Sequence, residues 1–109
     1  MIRLYFRTRA GMTIIKVIGT SIFFSNDVYG FNADIPIDNM KLFINGILKE
    51  FPDLADRPIE EAREEAIKRF KSHLQSMGNE EEIAKYLIEE GKKEGAVLQR
   101  TEKGGSYRR

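Results

Sequence analysis

The chain has 109 residues, of which 41% are apolar and 32% charged, with a net charge of +1. That length suits one domain with one core, and the charged fraction is that of a folded, water-soluble protein. Without cysteine there are no disulfides, no thiol chemistry and no zinc-finger spacing, and the longest apolar runs are too short to cross a bilayer.

"IRLYFRTR" (2–9) reads as a strand. Strict alternation puts Ile2, Leu4 and Phe6 on one face and Arg3, Tyr5, Arg7 and Arg9 on the other. The arginines interrupt any signal-peptide core, so a cytoplasmic setting is expected. Met12 is a conceivable alternative start, but the regular alternation of residues 2–7 argues for a genuine strand. Ala10 and Gly11 supply a turn. "MTIIKVI" (12–18) follows, rich in the β-branched residues that suit a pleated surface. Gly19 allows a kink or a new strand through "TSIFFS", and Asn26 with Asp27 marks a second turn. "VYGFNADI" completes a meander with Tyr29, Phe31, Ala33 and Ile35 on one face.

Beyond Pro36 the period changes. Asp38 reads as an N-cap, and Met40, Phe43, Ile44, Ile47, Leu48 and Phe51 recur at helical spacing. After "FPDLAD", Pro58 opens a longer helix over 58–77, whose predicted buried stripe is Ile59, Ala62, Ala66, Phe70, Leu74 and Met77. Gly78 suits its end. Asn79 with Glu82 matches a capping box for a third helix carrying Ile83, Ala84, Leu87 and Ile88. "AVLQRT" reads as a short late strand, and 102–109 as a flexible basic tail. The expected architecture is α+β: one domain over 1–101, with an N-terminal antiparallel β-meander of three to four strands. Three C-terminal helices pack on one face of it.

"EFPDLADRPIEEAREEA" is similar to a strand-end and helix motif of a small antitoxin family with a partial ribonuclease-H-like fold. The residues before it are helical in period and the glycine after the proline is missing, so no property is carried over.

Few residues invite catalysis. The one histidine, His73, falls between Ala62 and Ala66 in helical projection, and reads as a half-buried imidazole bonded to a backbone carbonyl. In "EEAREEA" the pairs Glu64→Lys68 and Glu65→Arg69, like Glu81→Lys85 and Glu89→Lys93, make charged solvent faces rather than metal ligands. "GKKEG" lacks the spacing of a phosphate loop. No cofactor and no metal are expected, and a small hydrolase or nuclease ranks third among the readings.

Charge is unevenly spread. Residues 1–49 carry six Lys/Arg against three Asp/Glu, 50–95 carry eight against thirteen, and 96–109 carry four against one. Basic ends flanking an acidic middle fit self-association, binding to another protein, or a nucleic-acid contact. The leading expectation is a non-catalytic intracellular binding or regulatory module that self-associates. The alternative is an RNA- or DNA-binding protein using Arg3, Tyr5, Arg7 and Arg9 with Lys103, Tyr107, Arg108 and Arg109 of the tail. A simpler role for the arginines is protection of an edge strand. No membrane partner is expected, and the Glu- and Lys-rich composition suits a thermophile.

Overall fold

The computed structural model describes residues 1–9, 11–27, 30–39 and 41–104. Tyr29, Met40, Tyr107, Arg108 and Arg109 lie outside them, as do the side chains of Phe31, Ala33 and Leu42.

Strands β1 (Ile2–Thr8), β2 (Gly11–Ile18), β3 (Ser21–Asn26) and β4 (Gly30–Pro36) form the expected meander, and β5 (Val97–Lys103) joins it from the far end of the chain. The order is β4-β3-β2-β1-β5, antiparallel throughout. Gly19 turns β2 into β3 with φ +62°, and with Thr20 at negative φ this is the backbone of a two-residue hairpin whose first position needs glycine. The late strand runs on through Lys103, two residues into the segment read as tail, and the Gly104 amide donates to the Met1 carbonyl.

The position of β1 corrects the edge-strand reading. It is hydrogen-bonded on both sides, to β2 and to β5, and the edges are β4 and β5. Arg3 and Arg7 therefore protect no edge.

A 3₁₀ turn (Ile37–Asn39) leads into α1 (Lys41–Leu48), a second (Pro52–Leu54) precedes α2 (Ile59–Met77), and α3 (Glu80–Lys93) follows. Asp38 sits inside the first turn, where it pairs with Lys71. In α2, Ala62, Ala66, Phe70 and Leu74 are buried as the period predicts, and Met77 packs beside them. Ile59 does not join them. It is 53% exposed, because at the first helical position it precedes the turn that meets the core. The helix stops at Gly78, whose amide still donates to the Leu74 carbonyl while its left-handed φ of 78° turns the chain out of the helix. Asn79 then caps α3, accepting from the Glu82 amide at 2.9 Å.

One core joins Ile2, Leu4, Phe6, Val17 and Ile22 of the sheet to Ile47, Leu54, Ala62, Ala66, Phe70, Leu74, Ile83 and Leu87. All the helices thus cover the same sheet face. Arg69 locks the α1–α2 connection. Its guanidinium holds both Asp53 oxygens at 3.0 and 2.8 Å and Glu65 at 3.1 Å, and lies 5.0 Å over Phe51. This fork holds the Asp53 carboxyl below the usual carboxylate range. Glu65–Arg69 is the i,i+4 pair expected. On α3 the pairs are instead i,i+3, Glu82–Lys85, Glu89–Lys92 and Glu90–Lys93, and Glu81 reaches Lys103 of β5 at 2.9 Å.

Among the described residues no helix is long and apolar enough to cross a membrane.

Candidate binding face of the sheet

Directly paired residues in antiparallel strands share a face, so register fixes what stands opposite the helices. Arg3, Tyr5 and Arg7 of β1 pair with Lys16, Ile14 and Met12 of β2 on one side, and with Glu102, Arg100 and Val97 of β5 on the other. One strand further, Lys16 pairs with Phe23 and Ile14 with Ser25. This open face has an apolar centre in which Ile14 is buried and Tyr5, Met12 and Phe23 are half-buried, among charged side chains. A depression lined by Tyr5, Met12, Ile14, Gln99 and Arg100 sits within it.

The charges are ordered. Glu102 accepts a hydrogen bond from Tyr5 Oη at 2.7 Å and faces Arg100 at 3.3 Å and Arg3 at 3.9 Å. The Arg100 guanidinium lies 4.1 Å over the Tyr5 ring. Ring, guanidinium and carboxylate therefore fix one another, a cation–π contact held by an acceptor that serves both partners. Lys16 pairs with Asp34. Among the described residues the strands of this face hold four cations, Arg3, Arg7, Lys16 and Arg100, against two carboxylates, Asp34 and Glu102, and Asp27 at the end of β3 adds a third carboxylate beside the Met12 amide. Arg7 is exposed and makes no ion pair among them.

Of the sequence-predicted contact residues, the fold brings Arg3, Tyr5 and Arg7 together, while Arg9 stands exposed in the β1–β2 turn. Lys103 does not join them. Its register partner is Ile2, on the helix-covered side, and its ammonium meets Glu81 of α3. Sequence reasoning missed Arg100, Glu102, Gln99, Met12 and Ile14. The alternation within 97–103 carried the signal for Arg100 and Glu102, but only the pairing of β5 with β1 sets them beside Tyr5.

His73 is exposed rather than half-buried. Its ring meets Tyr86 edge-on at 4.9 Å, and its carbonyl accepts from Ser76 Oγ. The apolar arc of α2 is narrower than its projection implied. Among the described residues no three His, Asp or Glu side chains are grouped to hold a metal ion.

Comparison with protein-family models, with curated proteins and with solved structures found no match to this chain.

Proposed function

We propose that this protein is a small non-catalytic binding module whose working surface is the open sheet face, and that its partner there is anionic. The observation that carries this is the composition of that face. Half-buried Tyr5, Met12 and Phe23 stand at its centre, on the side away from the helix-packed core, and among the described residues cations outnumber carboxylates around them. Partly exposed apolar side chains beside surplus charge favour an oppositely charged partner, by complementarity and by faster encounter.

Retention on immobilised heparin, eluted with increasing salt, tests the reading. The wild type is expected to bind and elute with salt, and R3S/R7S to elute much earlier. Equal elution of the two, or no retention at low salt, overturns it.

Self-association through the same face is a second reading, favoured by the half-buried apolar side chains of Met12 and Phe23. Two identical faces would also bring their cation surpluses together, a repulsion that salt screens. Sedimentation velocity separates the readings: a dimer that strengthens with salt is self-association, whereas salt weakens an anionic partner.

A further inference from the structure

Resting on that reading, we infer that the anionic partner is a single-stranded nucleic acid lying across the open sheet face.

Three features narrow the chemistry from a generic polyanion. First, Arg100 and Tyr5 form a preassembled stack. The hydroxyl of Tyr5 is anchored on Glu102 at 2.7 Å and its ring carries the guanidinium at 4.1 Å. A guanidinium plane is as good a seat for a nucleobase as an aromatic ring, and one already ordered costs little further entropy on binding. Second, Phe23 offers another ring on the same face. It lies two strands across and two residues along from Tyr5's row, which places the platforms roughly 12 Å apart from the strand spacing and rise. They suit non-adjacent bases of an extended strand. Third, the depression between Tyr5, Met12, Ile14, Gln99 and Arg100 has an apolar floor and, in Gln99, an amide that donates to and accepts from a base edge.

Arg3 and Arg7 flank Tyr5 on the same face of β1, roughly 13 Å apart at the rise of an extended strand. This is a backbone track beside a stacking surface, the combination single strands require. A sulfated polysaccharide has no planar apolar faces to use the rings. A duplex hides its base faces, and among the described residues the sheet face has no protruding helix or ribbon to enter a groove.

Fluorescence anisotropy with labelled short single-stranded RNA and DNA homopolymers, the matching duplexes and labelled heparin, each at several salt concentrations, tests this. Single strands are expected to bind at least about tenfold tighter than duplex. R3S/R7S should weaken that binding and reduce the slope of log K against log salt by about 1.4, two phosphate contacts at single-strand counterion density. F23S and R100A should each weaken it, and F23S should leave the salt slope unchanged, the mark of lost stacking. Circular dichroism melts confirm that each variant is folded, and R7S alone, at an exposed position, serves if the double variant is not. Heparin or duplex bound as tightly as single strands, with F23S indifferent, leaves the anionic partner standing and overturns the nucleic acid. No binding of any of them at low salt overturns both.

Discussion

Tyr5 and Glu102 stand 97 residues apart in the chain and share a 2.7 Å hydrogen bond on the open face of the sheet. The carboxylate also neutralises part of the charge of Arg3 and Arg100, so it restrains the face electrostatically while it orders the ring. E102Q keeps an acceptor for Tyr5 and removes the charge. It is expected to strengthen binding of an anionic ligand a few-fold and to steepen its salt dependence. Stability should fall by less than about 1 kcal/mol, since the pairs are partly solvated. Anisotropy titrations and a thermal melt measure both. Weaker binding by E102Q would mean that ordering of the ring matters more than the charge.

Ser25 lies on the same face, in register with Ile14, and is 1% exposed, with no hydrogen-bond partner for its hydroxyl among the described residues. A buried hydroxyl without a partner costs about 1–3 kcal/mol of desolvation. S25A is therefore expected to raise the unfolding midpoint by a few degrees, where a serine in a satisfied site would lower it on truncation. A lowered midpoint would show that the hydroxyl is solvated or bonded in solution.

What was legible in the sequence was local. The alternation of residues 2–8, the 3.6-residue stripe from Ala62 to Leu74, the Gly78 stop and the Asn79 cap are each written within a few consecutive residues, and each forms as read. The face opposite the helices was only half legible, because β1 states which side its arginines take but not what lies beside them. The pairing of β5 with β1 is a contact between chain ends, and a register shift at Tyr5/Phe6 further obscures it. Lys103 was misplaced for that reason: its basic character was visible, while its register with Ile2 was not. His73 shows a different limit. Helical projection gives an angle around the axis, and the width of the arc that is buried depends on how α3 approaches.

Glu80 ties three parts of the fold together. One carboxylate oxygen accepts from the Gly19 amide at 2.7 Å and the other meets the Met1 ammonium at 2.9 Å, so the start of α3 holds the β2–β3 turn and the beginning of β1. The Gly19 amide first, and the ammonium next, hold its carboxyl below its ordinary value of 4.5. A group whose folded value is lowered contributes stability that is present above its unfolded value and lost as pH falls through the folded one. E80Q, which keeps an acceptor for Gly19, is thus expected to melt a few degrees below the wild type at pH 7. The gap should narrow as pH drops below 4.5 and close once the native carboxyl is protonated. Melts across that range measure it, and a gap independent of pH would assign Glu80 a packing role instead.

Leu74 and His73 are neighbours on α2 with opposite fates. Leu74 is 1% exposed within the core, and removing its side chain leaves a cavity between sheet and helices, so L74A is expected to cost about 2–5 kcal/mol. His73 is exposed and gives up only its edge contact with Tyr86, so H73A should cost less than about 1 kcal/mol. Because His73 stands on the helix layer, away from the open sheet face, H73A should also leave binding of an anionic ligand intact. Urea titrations of both variants, with anisotropy on H73A, check the pair. A loss of binding in a folded H73A protein would move the working surface from the sheet to the helices, where Tyr86 and the α2–α3 seam would be its centre.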